Sequence, residues 1–500
     1  MNKKLSWLLL PALLGGAVLT GCSKENPNMT REEGNQPPTS KNPTELYYAN
    51  MFGKEAMSTY YYWNKEISND LKNWNIETNN DPIGTVDQIR YHQGEKYIDK
   101  WSMLTDDMAS FNSSVEGVST TFGWNLTFYL VEKEKKQYVG VVNFVHEGTP
   151  AAKAGLKRGD ILLSINNESI TPNNYTDLYN KSVLKVSLGE LKENTIVSRD
   201  KSIELTAVNM YENPVICDSI YEFNGKKVGY LAYTSFDLKS IQPLIEIGKK
   251  FKAENIEELI LDLRYNGGGY VITENVLASM FAPQEAVSNK DVFEKEIYNS
   301  HLSEIYQKQG ESLETRFTTE FNYPEVDVHA STKDANIGLK KIYGLIGSGS
   351  ASASEALLGG LMPYTNVRLI GTQSHGKYCT GWMLSAEDMY EKCPQELKNW
   401  GIYVMVSIYQ NANGKTPCMP DGLIPDITVA DDPIQSYQLG DVDEPLLKQA
   451  LTEAGYPYRT ASTRSRSVAS THFQTLPVAQ TPFFGKRIQL TPSFISQHPQ

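Results

Sequence analysis

Hydrophobic positions along the chain follow three different rhythms. Between residues 45 and 112, Phe52, Ala56, Tyr60, Trp63 and Ile67 recur at steps of 4, 4, 3 and 4, and Tyr97, Trp101, Leu104, Met108 and Phe111 at steps of 4, 3, 4 and 3. These spacings trace one apolar helix face each, so both sets predict amphipathic helices, with Asp81-Pro82-Ile83-Gly84 as a turn between them. The aromatic stripe reads as core, and 45–112 as a small helical domain. From 113 to 208, residues 138–142 and 161–165 predict strands, and 149–156 a short helix with Pro150 in its first turn and Gly155 at its end. Farther on, apolar runs at 228–233, 259–263, 341–346, 367–370 and 402–408 alternate with helical periodicity at 241–251 and 352–361, and a last helical run covers 444–453. That alternation predicts an α/β layered core over 209–456. Residues 290–335 lack a clear period, carry many charges and read as an insertion over the core.

The two ends differ from the body. Lys3 and Lys4 precede an apolar stretch at 5–19 that closes in Leu19-Thr20-Gly21-Cys22, the pattern of a secretory signal. Leu-Thr-Gly-Cys resembles the bacterial lipobox, which implies removal of 1–21, acylation of Cys22 and attachment to the cell envelope, Ser23 leaning toward the outer membrane. Residues 22–44, with Pro27, Pro37, Pro38 and Pro43 among polar residues, read as a flexible tether. Residues 457–500 carry five Lys/Arg and no Asp or Glu, and their Ser, Thr and Pro predict a disordered basic tail. The whole chain of 500 residues carries −12, which argues against nucleic acid as a partner. Five cysteines are too few for a disulfide scaffold; after export, Cys217, Cys379, Cys393 and Cys418 could be bridged or remain buried thiols. A second long apolar run is missing, which excludes a multi-span membrane protein.

Three segments of the α/β region hold the chemistry. Leu261-Asp262-Leu263-Arg264-Tyr265-Asn266-Gly267-Gly268-Gly269 is a strand emptying into a glycine loop. Gly347-Ser348-Gly349-Ser350-Ala351-Ser352-Ala353-Ser354-Glu355 opens a helix, and Gly371-Thr372-Gln373-Ser374-His375-Gly376-Lys377 follows a strand. Ser352-x-x-Glu355 is first of all a capping box. A serine at a helix start also has spare N–H groups and a positive dipole end beside it, which would steady an oxyanion once the serine attacked a carbonyl. Its hydroxyl needs a base, for which His375 and Lys377 both stand available. Lysine serves only when neutral; bringing it from ~10.4 to ~8 by burial costs roughly 3 kcal/mol. An ionised Glu355 close by would oppose that shift.

Two resemblances connect these motifs. Pro150-Ala151-x-x-Ala154-Gly155-Leu156-x-x-Gly159-Asp160 resembles a PDZ domain, a module that takes an extended peptide as an added strand and holds its terminal carboxylate; the matching loop is Phe122-Gly123-Trp124-Asn125. Gly-Ser-x-Ser-Ala-Ser-Glu with Gly376-Lys377 ending 25 residues after Ser352, the Asp262-Leu263-Arg264-x-Asn266 segment, and Pro420-Asp421-Gly422-Leu423-Ile424-Pro425-Asp426-Ile427 resemble the C-terminal processing (tail-specific) peptidases, as does the order of PDZ before core. The resemblance covers about 113–450. It implies Ser352 as nucleophile, Lys377 as general base, the N–H groups of Gly268 and Ala353 as oxyanion hole, and Glu355 in support. A glutamine that many members place four residues after the lysine is Gly381 here, and an aspartate that others place eleven after the serine is Pro363. The third catalytic member therefore stays open among Gln373, Tyr378 and a group remote in sequence.

Competing patterns fail at particular positions. Gly371 to Lys377 fits a phosphate loop, yet Tyr378 fills the slot that needs Ser or Thr. Ser198-x-x-Lys201 has no Lys-Thr-Gly to accompany it, and Gly-x-Ser-x-Gly and His-Glu-x-x-His are both missing. A catalytically silent lipoprotein that binds C-termini through its PDZ domain is the remaining alternative, and the presence of both Ser352 and Lys377 speaks against it. The sequence thus predicts an exported, envelope-anchored serine endopeptidase acting on extended proteins near their C-termini, with no metal, nucleotide or other cofactor implied.

Overall fold

The structure, a computed structural model, describes residues 43–458 apart from Lys135 and Asn194, together with 473–475 and 485–496. The signal, Cys22 and the tether to residue 42 lie outside the described residues.

The PDZ region is an antiparallel sheet in the order Thr195–Thr206, Val183–Lys192, Ile161–Ile165, Gln137–Val145, Trp124–Glu132, with the short helix Pro150–Lys153 beside it. Thr149 caps that helix by accepting from the Ala152 N–H at 3.3 Å, and Pro150 occupies the first turn, where its missing donor costs nothing. Alternate side chains such as Phe128, Val142, Leu162 and Val186 fill one core.

A six-stranded sheet forms the centre of the larger body, ordered Val215–Phe223, Lys226–Tyr233, Glu258–Asp262, Lys341–Ile346, Asn366–Gly371, Ile427–Thr428. All pairings but the first are parallel. Continuous apolar strands such as Leu259-Ile260-Leu261 suit a sheet covered on both faces. Because Glu258–Asp262, Lys341–Ile346 and Asn366–Gly371 are adjacent and parallel, the loops after them emerge along one sheet edge. Ligands of open parallel sheets collect at that edge, and all three chemical segments leave from it.

A second sheet runs Gly268–Tyr270, Lys486–Ile488, Cys379–Ser385, Gly401–Asn411, Val292–Tyr298, Glu314–Arg316. It corrects three expectations. The tail is not wholly disordered: Lys486–Ile488 pairs in parallel with Gly268–Tyr270, and Ile488 pairs with Gly381. The stripe from Tyr97 to Phe111 is not one helix; Met103–Thr105 is a strand on Gly401–Asn411, and only Met108–Val115 is helical. Asp107 breaks the run by capping the later helix through the Ser110 N–H at 3.0 Å. Nor is 290–335 a mere insertion, since Val292–Tyr298 belongs to this sheet. The helix Pro43–Thr59 ends before Trp63 and Ile67, yet all these side chains join one cluster with Leu231, Leu261 and Leu357. Residues 45–112 are therefore packed into the larger core rather than standing apart from it. Cys217, Cys379, Cys393 and Cys418 are free thiols.

Candidate active site

Ser352 stands at the junction of loop and helix, immediately before Ala353–Leu361, with φ 64° and ψ −114°. That left-handed conformation is costly for a residue with a Cβ and marks a strained position. Ser352 is fully buried, and its Oγ makes no hydrogen bond among the described residues. Only half of the expected capping box thus exists: Glu355 Oε2 accepts the Ser352 N–H at 2.8 Å, while the hydroxyl is left over.

Glu355 ties the second and third segments together. The oxygen that takes the Ser352 amide also takes the Lys377 amide at 2.9 Å, and Oε1 accepts from the Gly376 N–H at 2.7 Å and from Ser374 Oγ. Burial pushes this carboxyl up to about 7, against the lowering effect of those donors. One carboxylate therefore fixes the backbones carrying Ser352 and Lys377 relative to each other. The first segment is tied in as well: Ser350 Oγ donates to the Leu263 carbonyl at 2.7 Å and Ser354 Oγ to the Asn266 carbonyl at 2.9 Å.

Lys377 is fully buried, and that burial brings its ammonium down to about 8. Its Nζ lies 5.5 Å from the Trp101 ring centroid and donates to the Tyr403 hydroxyl at 2.8 Å, not to Ser352. Tyr403 is the residue that sequence reasoning missed. It sits on the strand opposite Gly381, where a Cβ on that glycine would come within 2.3 Å of the tyrosine ring. The space vacated by the absent glutamine is filled from the neighbouring strand. Gln373 points elsewhere, donating to the Asp421 carbonyl at 2.7 Å, and Tyr378 stacks edge-on to Trp101.

His375 is held by its backbone, the N–H donating to the Ser350 carbonyl at 2.9 Å. Burial, then Lys100 and Lys377, push its imidazole down to about 4, so it stays neutral at ordinary pH. It makes no hydrogen bond to Ser352 Oγ.

The expected oxyanion donors divide. Ala353 opens the helix, where N–H groups lack intrahelical acceptors. Gly268 is close, since a Cβ there would lie 2.8 Å from the Ser352 Cβ, but its N–H donates to Asn266 Oδ1 at 2.9 Å. In this conformation that amide is already used.

The PDZ loop is also engaged within its own domain. Phe122 and Trp124 are core side chains, and the Trp124 indole donates to the Leu178 carbonyl at 3.0 Å. Gly123 donates its N–H to Thr121 Oγ1 at 2.8 Å, and Asn125 accepts from Asn143. These four residues build the domain; the edge of the strand Trp124–Glu132 is what meets a further strand, pairing with Gln474–Thr475.

Comparison with known proteins agrees with this architecture. Residues 227–429 match the model of peptidase family S41, and 141–180 that of the PDZ domain. A probable CtpA-like serine protease of Staphylococcus aureus (strain bovine RF122 / ET3-1) is 24% identical over 430 residues, covering 81% of this chain and 71% of the relative. Its counterpart in Staphylococcus saprophyticus is 22% identical over 401 residues, 77% of this chain and 71% of the relative. A crystal structure assigned to the S41 proteases, from Bacteroides fragilis NCTC 9343, superposes with a TM-score of 0.61 at 21% identity, covering 81% of this chain and 98% of its own. The matched core is thus similar to the S41 peptidases and the domain before it to PDZ domains, and the relatives that span most of the chain are serine proteases by name.

Proposed function

We propose that the chain is a serine endopeptidase of the S41 type, with a Ser/Lys mechanism in which Ser352 attacks and Lys377 carries the proton. The observation that carries the reading is the shared anchor: Glu355 Oε2 holds the amides of both residues, and the lysine it holds is buried enough to be deprotonated near pH 8. Once neutral, Nζ keeps an N–H on Tyr403 and has a lone pair for the Ser352 proton. The Ser352 oxygen then bonds to the substrate carbonyl carbon, and the oxyanion is met by the helix-start amide of Ala353. Lys377 returns its proton to the departing amine as the C–N bond breaks, leaving an acyl-serine. Water, losing a proton to Lys377, hydrolyses that ester and restores the hydroxyl. Strain at Ser352 favours this arrangement, because it keeps the oxygen from a capping bond that would occupy it.

The substrate in this reading is an extended or unfolded protein, received near its C-terminus as an added strand on the PDZ sheet edge. Export and lipid attachment at Cys22 belong to the same proposal, resting on Lys3, Lys4 and Leu19-Thr20-Gly21-Cys22.

Digestion of a denatured protein by the purified chain tests the chemistry. Ser352→Ala and Lys377→Ala should each abolish cleavage while the thermal transition persists; full activity in Lys377→Ala would refute the mechanism. Metabolic labelling with a fatty acid tests the anchor: the wild type should be marked and Cys22→Ala should not, and equal marking of both would remove it.

A further inference from the structure

The chain places a piece of its own tail beside Ser352. Lys486–Ile488 lies as a strand between Gly268–Tyr270 and Cys379–Ser385, in the added-strand manner of a bound peptide. A Cβ on Gly268 would stand 2.2 Å from the Lys486 carbonyl oxygen and 2.8 Å from the Ser352 Cβ, so this carbonyl and the serine flank the same glycine. The next amide is bracketed by Tyr403, whose hydroxyl accepts the Arg487 N–H at 3.1 Å, donates to the Arg487 carbonyl at 3.0 Å and accepts from Lys377 Nζ.

The Arg487 side chain then enters a pocket made by the core rather than the tail. Glu274, on the helix Val271–Phe281, receives Nε at 2.9 Å and Nη2 at 3.1 Å. Glu294 and Glu296, two apart on Val292–Tyr298 and so on one face, receive Nη2 and Nη1, and Thr380 Oγ1 also accepts from Nη1. All three carboxyls are buried, and Glu294 Oε1 has no hydrogen-bond partner among the described residues. Three buried acids around one guanidinium exceed what a structural ion pair needs, and without a cation they would repel one another. Burial already pushes Glu274 well above the carboxylate range and Glu294 up to about 7. The planar fork of arginine is the side chain that meets several carboxylates at once. A second part of the same tail, Gln474–Thr475, adds to the PDZ edge strand, so both stretches are held as extended peptide.

We infer that Glu274, Glu294 and Glu296 form a subsite selecting an arginine side chain directly after the scissile bond, and that Arg487 occupies it as a tethered occupant. The inference rests on the Ser/Lys reading for the position of the bond, but not for the binding itself.

The test uses the full chain with two fluorescent hexapeptides: Gly-Lys-Arg-Ile-Gln-Leu, the sequence of 485–490, and the same peptide with leucine for arginine. Binding is measured by polarisation to the Ser352→Ala/Arg487→Ala chain, where no turnover interferes. The arginine peptide should bind at least tenfold tighter, and adding Glu294→Gln and Glu296→Gln should bring the ratio near one. Equal binding of the two peptides, or none, overturns the subsite. If Arg487→Ala has lost its cooperative thermal transition, adding ethylguanidinium should restore it, and failure to do so also overturns it. With Ser352 intact, Arg487→Ala should cleave the arginine peptide several-fold faster than the wild type. Loss of all cleavage with the binding ratio retained would sink the Ser/Lys reading and uphold the subsite; Ser352-dependent cleavage with a ratio of one would do the reverse.

Discussion

Replacing the proposed base should make the protein more stable at neutral pH while silencing it. Lys377 sits fully buried with its ammonium at about 8, against ~10.4 for a lysine in water. At about 1.36 kcal/mol per unit, the native state gives up about 3 kcal/mol near pH 7 relative to a lysine that keeps its ordinary affinity for the proton. The sign follows from proton counts: below pH 8 the amine is charged in both states and the desolvation penalty is whole. Between 8 and ~10.4 the unfolded chain holds the proton that the folded one has lost, so stability rises with pH; above that range the penalty is gone. Lys377→Met fills similar volume without charge and forfeits the hydrogen bond to Tyr403, worth about 1 kcal/mol. The variant should therefore gain about 2 kcal/mol at pH 7 and lose about 1 kcal/mol at pH 10.5 or above, a swing of about 3 kcal/mol. Paired urea unfolding of the two chains from pH 7 to 10.5 reads that swing, since other titrating groups are common to both. A variant less stable at pH 7, or a difference flat across the range, would refute the argument. In the wild type the same amine sets the rate: about one lysine in ten is neutral at pH 7 and about nine in ten at pH 9, so kcat/KM should climb about tenfold between them.

Two further substitutions probe the surroundings of the pair. Tyr403→Phe removes the acceptor of Lys377 Nζ and should lower kcat/KM about tenfold or more, with the rising limb of the pH profile moved to lower pH because a contact favouring the charged amine is lost; an unmoved limb would reduce Tyr403 to packing. Gly268→Ala puts a methyl 2.2 Å from the Lys486 carbonyl at φ +101°, a conformation that strains any side chain by about 1–3 kcal/mol, so cleavage and the unfolding midpoint should both fall; retention of both would show that the loop relaxes freely.

What the sequence made legible was what neighbouring residues encode together. The parallel strands announced themselves as short apolar runs, and Ser352, Glu355 and Lys377 as motifs with fixed local spacing, because each lies in a loop directly after such a strand. The helical reading of Tyr97 to Phe111 failed because its spacing was met by a strand, a loop and a short helix packing side chains against the same core. Tyr403 was invisible for another reason: Gly381 advertises a missing side chain, but only the folded sheet reveals that the ring filling the space belongs to Tyr403, two residues from Met405, the register partner of that glycine. Arg487 was hidden most deeply. Its neighbours have the composition of an unstructured tail, and the three acids that receive it come from a helix and a strand about 200 residues earlier.

Sequence alone raised a conflict that the geometry resolves: an ionised glutamate beside the lysine would hold the proton there. Glu355 does meet Lys377, but at its amide, and the carboxylate's four contacts are with the N–H groups of Ser352, Gly376 and Lys377 and the Ser374 hydroxyl. The ammonium lies at the far end of the side chain, turned to Tyr403 and the Trp101 ring. Burial acts on the two groups in opposite senses, raising the acid to about 7 and lowering the amine to about 8, so each approaches neutrality from its own side. The charge of Glu355 still favours the ammonium, but burial outweighs it, so the acid can sit next to a general base without disarming it. Glu355→Gln would break this economy from the other direction: an amide supplies one acceptor oxygen where the carboxylate supplies two, so Ser352, Lys377, Gly376 and Ser374 could no longer all be satisfied, and the loops bearing the pair would separate.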